Sequence, residues 1–533
     1  MNIYLISTIA AIVIFTIVGI FAGRKVKDTN DYYVAGRKAP VILIVGSLIA
    51  SFLSTGAFMG DTGEVYSGFF MGIVIVGIFQ ALGYIYGATL FSKYIRRSKA
   101  NTVPEYFGIR FNSTRIRKLA AITLIFGVTA YLLSAIQGAS TLMASITELD
   151  YKWCVIIAWI SFTIFTVYSG SKGVLLTDTI MFIIFLIASL IGIPYIINAA
   201  GGWFSTIEEL ANSTTNPGMI SWTNNLKYLY PSGALNLIWA IVYGIVWAVV
   251  VMVSPWQTSR YLMAKNEHTV VKSSIWASIG VTVVTMSLYF SAAFVYKINP
   301  NLDDSSTTLI WAAMNVMPTT IGVIMLTGIL SAGISSASTF LSLIGSSLTN
   351  DILSKTKKRS EKEKLKLSRI GMAIVSLIAL LLAFFNPPHI FWIMYFGGTV
   401  IASSWGIVAI ASVWSKRLSE NGAFYGMLLG FICCVIPKGI STIAKITLPL
   451  YFDPFIIGLI CSVIGMVIGS KIKPITKNEI SNYKKLHVIP KIEINYEEDK
   501  KTHKLTYLYI SFGLFLSLFF IFFYALPYMN AIK

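Results

Sequence analysis

Apolar residues run along this chain in long blocks, and polar or charged residues interrupt them at short intervals. Blocks long enough to cross about 30 Å of hydrocarbon as a helix recur from end to end. They predict fourteen spans, near 3–22, 41–60, 69–92, 119–145, 153–169, 174–197, 236–258, 273–296, 319–350, 370–386, 389–414, 422–440, 454–470 and 506–526. Between Asp304 and Asp351 no residue is charged, and there Ser331, Ser335, Ser338, Ser342 and Ser346 follow in steps of four, three, four and four. On a helix that spacing lines one face with hydroxyls. Inside a membrane such a stripe has to meet protein, water or an ion. Hydroxyl and carbonyl oxygens are the hard ligands of a dehydrated alkali cation. Ser and Gly also close-pack membrane helices, so at this point both readings stand.

Two segments carry helix breakers. Span two ends in Ser54-Thr-Gly-Ala-Phe-Met-Gly-Asp-Thr-Gly63, and its three glycines lower helix propensity. Span seven contains Gly244 and then Ser254-Pro255-Trp256-Gln257, where Pro255 lacks a backbone donor. The two lie five spans apart. That is the spacing of two five-helix halves in an inverted repeat, whose discontinuous first helices meet at the bilayer midplane.

With 56% hydrophobic and 12% charged residues among 533, the chain is an all-α polytopic membrane protein and not a soluble domain. Its net charge of +19 would suggest nucleic acid until the charges are located. With Met1 outside, the inner loops 23–40, 93–118, 170–173, 259–272, 351–369, 415–421 and 471–505 hold every basic residue except Lys152, Lys227, Lys297, Lys438, Lys445 and Lys533. This positive-inside bias puts both termini outside a plasma membrane. The basic excess is then topology and contact with anionic lipid, with no nucleic acid as partner. No Lys or Arg precedes the first span, so it is expected to be a retained helix and not a cleaved signal. Cys154, Cys433, Cys434 and Cys461 sit in apolar spans as packing residues, and the four histidines are scattered. No nucleophile–base set, metal spacing or phosphate loop appears, so neither an enzyme nor an ATP-driven pump is expected.

Asp178 is the acid that needs an explanation. It lies just inside the span 174–197, where a lone carboxylate costs about 3 kcal/mol or more. It has to pair with a cation, reach water, stay protonated, or cap the helix end beside Lys172. With Lys93 and Lys118 taken as end residues, no Lys or Arg falls inside a predicted span. A mobile Na⁺ or H⁺ is therefore the expected partner.

Several stretches, in order, resemble the sodium:solute symporter family, which contains the sodium/glucose and sodium/proline cotransporters. They are Asp31-Tyr-Tyr-Val-Ala-Gly-Arg37, Thr102-Val-Pro-Glu-Tyr-Phe-Gly-Ile-Arg-Phe111, Tyr168-Ser-Gly-Ser-Lys-Gly173 with Thr177-Asp178, Arg260-Tyr-Leu-Met-Ala-Lys265, Ala332–Thr339 ending at Asp351-Ile352, and Trp414-Ser-Lys-Arg417 before Gly422. The resemblance implies a five-plus-five inverted-repeat (LeuT-like) core over 41–414, with halves 41–197 and 236–414. Residues 1–40 are then an extra helix and inner loop, and 415–533 carry further helices with the basic inner loop 471–505. It also implies a main sodium site from the carbonyls of Ala50, Leu53 and Ala332 and the hydroxyls of Ser335 and Ser336. Some members add a second sodium, and Asp178, Ser335, Ser338 and Thr339 match that pattern. Na⁺, one ion or two, is the expected coupling ion, with no organic cofactor.

Sugar-carrying members place an amide, an acid and an amide where this chain has Phe52, Gly56 and Ala57, and the aspartate of proline carriers is absent from that helix. Ser47–Ser54 and Gly63-Glu64-Val-Tyr66 look closer to the monocarboxylate and vitamin branch. Thr55, Gly56, Phe58, Gln80, Gln137 and Trp247 are the expected solute contacts. The expectation is a sodium-coupled importer of a small organic solute working by alternating access. A proton-coupled carrier and a membrane solute sensor are the alternatives.

Overall fold

The computed structural model describes residues 3–23, 29–147, 149–225, 230–353, 360–385, 390–446 and 448–533. Among them there is no strand, only one isolated bridge between Ala39 and Ala264. The long helices, numbered in chain order, are α1 (Ile3–Gly23), α2 (Val41–Phe52), α3 (Gly56–Tyr66), α4 (Phe70–Arg97), α5 (Thr114–Thr147), α6 (Tyr151–Ala199), α7 (Gly233–Val253) and α8 (Pro255–Met263). They continue as α9 (Glu267–Ile298), α10 (Thr319–Ile352), α11 (Glu361–Phe384), α12 (Ile390–Trp414), α13 (Glu420–Ala444), α14 (Pro454–Ile472) and α15 (Tyr496–Ala531).

Among the described residues, twelve helices are long and apolar enough to cross a membrane, or thirteen with α2 and α3 counted as one bent span. Fourteen separate spans were expected. The difference lies at α6, a single helix of 49 residues in which the expected loop 170–173 is helical. The side chains of residues 168–172 lie outside the described residues. The apolar stretch Tyr151–Val167 coincides with the remaining expected span but is shorter than the others.

Both expected breaks are present, and the chemistry that makes them is local. At Leu53 the backbone turns extended (ψ 91°), and α3 leaves at 50° to α2. The Ser54 hydroxyl accepts the Gly56 N–H at 3.0 Å, offering the backbone a partner outside the helical ladder. At Ser254 the backbone is again extended (ψ 143°), and Pro255 opens α8 at the position where its missing N–H costs nothing.

Helix α10 lies along α6 and α5, and α2 lies on α6, α8 and α9. Two glycines allow the closest of these approaches. A Cβ on Gly46 would stand 2.7 Å from the Thr179 Cα, and one on Gly328 would stand 2.8 Å from the Ala188 Cβ. Helices α2 and α10 therefore press on α6 on either side of Asp178.

The segment 471–505, for which the sequence suggested no role, clamps the end of the bundle that carries the basic loops. Arg96 pairs with Glu493 at 2.8 Å and donates to the Ala264 carbonyl at 2.9 Å. Arg97 pairs with Glu267 and donates to the Leu486 carbonyl at 2.8 Å. Arg110 donates to the carbonyls of Ser412 and Glu479, and burial holds its guanidinium below its ordinary pKa. Thus α4, α9 and the short helix Val103–Arg110 are tied to the chain that leads into α15.

Candidate functional site

At the centre of the bundle, α2, α6, α8 and α10 converge on Asp178, which is fully buried. Ser335 on α10 donates to one carboxylate oxygen at 2.7 Å, and Ser47 on α2 donates to the other at 2.5 Å. Arg260 on α8 reaches that second oxygen at 3.3 Å and also bonds the Thr339 hydroxyl. The expectation that no basic residue lies inside the bundle is therefore corrected. Arg260, assigned from its sequence position to the inner loop 259–272, is only 2% exposed and supplies the fixed countercharge of Asp178. Its position follows from the break at Ser254. Pro255 starts a new helix there, and Arg260 leaves it from the side facing α6 and α10.

Of the four residues expected at a second sodium, Asp178 and Ser335 touch, and Thr339 joins them through Arg260. Ser338 donates instead to the Ser335 carbonyl on its own helix at 2.8 Å. Ser47 was not foreseen, since it is one hydroxyl in a serine-rich helix with no acid nearby in sequence.

Of the five residues expected at the main site, Ala50 and Leu53 lie at the α2 break, and Ser336 of α10 reaches Ala50 there. Ala50, Leu53, Ala332, Ser335 and Ser336 are all fully buried. Ala50 and Leu53 stand at the C-terminal end of α2, where helix carbonyls lose their intrahelical partners. The Ser336 hydroxyl of α10 lies 3.4 Å from the Ala50 carbonyl. Of the serine stripe, Ser331 and Ser346 bond carbonyls of their own helix, whereas Ser335 reaches across to α6; Ser336, beside the stripe, reaches α2.

The expected solute contacts divide. Thr55 is clamped between α5 and α10: a Cβ on Gly138 would fall 2.5 Å from its Cβ, and one on Gly333 would fall 3.0 Å from its methyl. Its hydroxyl points to the Ser134 carbonyl at 3.4 Å. Gly56 gives room to the Met394 thioether of α12. Phe58 packs edge-on against Phe185. Gln80 is buried, and its side-chain oxygen has no hydrogen-bond partner among the described residues. Trp247 meets Phe52, Tyr131 and Tyr243 edge to face at 6.0, 6.3 and 6.1 Å.

Gln137 lines a cavity of about 490 Å³ that lies between α3, α5, the start of α6, the 304–307 loop and α12. This cavity sits at the end of the bundle opposite the basic loops. Towards the basic end, the space beneath Arg260 is a void of only about 20 Å³, lined by Tyr33, Thr102, Ser342 and Ser346 among others. The sequence reading placed Asp61 and Glu64 at a span end and gave them no role. Both are buried on α3, and Glu64 faces the cavity.

The profile of the sodium:solute symporter family matches residues 32–430. The sodium/pantothenate symporter of Escherichia coli (strain K12) is 22% identical over 482 residues, covering 87% of this chain and 95% of the relative. The sodium/proline symporter of Salmonella typhimurium is 24% identical over 441 residues, covering 79% and 85%. A Na⁺-coupled sialic acid symporter, solved in a substrate-bound outward-open state, superposes with a TM-score of 0.74 at 17% identity, covering 90% of this chain and 99% of the other. The chain belongs to the sodium:solute symporter family.

Proposed function

We propose that this protein imports a small organic solute by coupling its entry to sodium, with residues 41–414 as an inverted-repeat transport core in the plasma membrane and both termini outside. The observation that carries this reading is the meeting of Ser336 with the Ala50 carbonyl, 3.4 Å apart, where α2 unwinds. Carbonyls of Ala50, Leu53 and Ala332 with hydroxyls of Ser335 and Ser336 make a neutral oxygen cage. Such a cage replaces the hydration shell of Na⁺ without holding the ion too tightly to leave. The cavity on the side opposite the basic loops then gives solute its entry, and the closed packing beneath Arg260 is the gate that opens last. The reading is of a carrier, with no catalytic step.

The second sodium follows from Asp178. A carboxylate buried as Asp178 is lies lowest in energy with a cation beside it. When Na⁺ occupies the space between Asp178, Ser335, Ser338 and Thr339, Arg260 withdraws; when Na⁺ leaves, the guanidinium returns. Arg260 is thus a tethered substitute for the ion, and release of Na⁺ towards the basic end does not strand a bare charge. Proton coupling through Asp178 loses its motive, because the arginine already neutralises the acid.

Equilibrium binding of radiosodium to the purified protein tests the reading. Saturable binding that K⁺ does not displace is expected, with Ser336→Ala weakening it at least tenfold. Absence of saturable binding in the unsubstituted protein would overturn the proposal.

A further inference from the structure

The buried acids of this bundle do not all have partners. Asp178 has Arg260, and Asp351 has Arg117 at 2.8 Å. Asp61 and Glu64 are 5% and 7% exposed, yet neither makes an ion pair among the described residues. They stand three residues apart on α3, hence on one face. Glu64 lines the 490 Å³ cavity together with Gln137 and Asp304, and no Lys or Arg lines it. An acidic cavity with no basic side chain among its described lining favours a cationic group on whatever enters it.

The surroundings of Asp61 indicate what kind. Tyr289 donates to its carboxylate at 3.0 Å. Tyr131 and Tyr243 lie within electrostatic range of it. The Tyr131 hydroxyl, on a side chain 4% exposed, has no hydrogen-bond partner among the described residues. The rings of Tyr131 and Tyr243 are joined through Trp247, and Tyr243 packs on Phe391, which borders the cavity. Aromatic faces beside a carboxylate attract an organic cation through the ring quadrupole as well as through charge. A bare metal ion would need several hard oxygens converging on one point. The cavity volume falls in the range of small organic ligand sites.

Resting on the symporter reading above, we propose that the solute carries an ammonium group, which Glu64 meets at the cavity wall beside Phe391 and Tyr151, with the buried Asp61 and the rings of Tyr131, Tyr243 and Trp247 behind it. The class is an organic ammonium or a zwitterion, not a plain anion.

The test is thermal unfolding of the full-length protein in saturating Na⁺ with matched probe pairs at millimolar concentration: γ-aminobutyrate against butyrate, glycine betaine against acetate, and choline alone. A ligand bound only by the folded state raises the apparent midpoint. At least one ammonium probe is expected to raise it while its ammonium-free counterpart does not. Asp61→Asn and Glu64→Gln, each checked for a cooperative transition, are expected to weaken that probe at least tenfold. Tyr131→Phe, which keeps the ring, is expected to weaken it less. Stabilisation by the ammonium-free acids alone, by no ammonium probe, or by an ammonium probe that both carboxylate variants leave unchanged would overturn the proposal. Loss of the Na⁺ response itself in the unsubstituted protein would instead overturn the symporter reading.

Discussion

The Arg260 guanidinium lies 3.3 Å from the Asp178 carboxylate, with both groups sealed inside the bundle and Thr339 as the arginine's other partner. Neither charge is stable there alone. Removing one partner of a buried pair leaves the other uncompensated, which costs about 3–5 kcal/mol. Arg260→Gln is therefore expected to lower thermal stability sharply in Na⁺-free buffer. If Na⁺ and Arg260 compete for Asp178, the same variant gains more from Na⁺ than the unsubstituted protein does. A Na⁺ titration of the unfolding midpoint checks both points, and an unchanged Na⁺ response would contradict the competition.

Packing at the α2 break is as demanding as its electrostatics. A methyl group on Gly138 would fall 2.5 Å from the Cβ of Thr55, whose branched side chain has little freedom to move. Gly138→Ala is expected to cost about 1–3 kcal/mol, the usual range for overpacking. Because Thr55 is displaced at the hinge between α2 and α3, the variant should also weaken Na⁺ binding. A variant as stable as the unsubstituted protein, with unchanged Na⁺ binding, would show that this junction is slack.

The clamp at the basic end has a separate signature. Glu493 accepts from Arg96 at 2.8 and 2.9 Å and from the Glu267 N–H at 2.9 Å. Glu493→Ala removes these together and is expected to cost about 1–3 kcal/mol, the penalty for unsatisfied, partly buried donors. The visible effect should be local: faster proteolysis and amide exchange over 487–496, with the Na⁺ response retained. Uniform loosening of the whole bundle would argue that this segment is an integral part of the core.

The bundle was legible in the sequence because hydrocarbon forces apolar residues into long blocks, and both breaks were legible because Gly and Pro act locally. That Ser335 would share a site with Asp178, and Ser336 one with Ala50, was implied by the family resemblance, and these pairs lie in contact. Arg260, Asp61 and Glu64 were missed for one common reason. Charges near the end of an apolar run mark where the run is cut, so they are assigned to loops by construction. Here the broken helices fold those ends back into the interior: α8 carries Arg260 beneath α6, and α3 buries both acids and brings Glu64 to the cavity. Ser47 was hidden differently. Its role depends on the close approach at Gly46, a contact between helices far apart in the chain.

Sodium recognition at the junction of α2 and α10 is tested most directly by thermal unfolding of the purified protein in Na⁺ against K⁺ at constant ionic strength. Binding to the folded state alone raises the apparent stability, by about 2.7 kcal/mol at a hundredfold excess over Kd. The expected result is a rise specific to Na⁺ that Ser336→Ala and Asp178→Asn each reduce. Equal midpoints in Na⁺ and K⁺, or a Na⁺ rise that survives intact in Ser336→Ala, would contradict it.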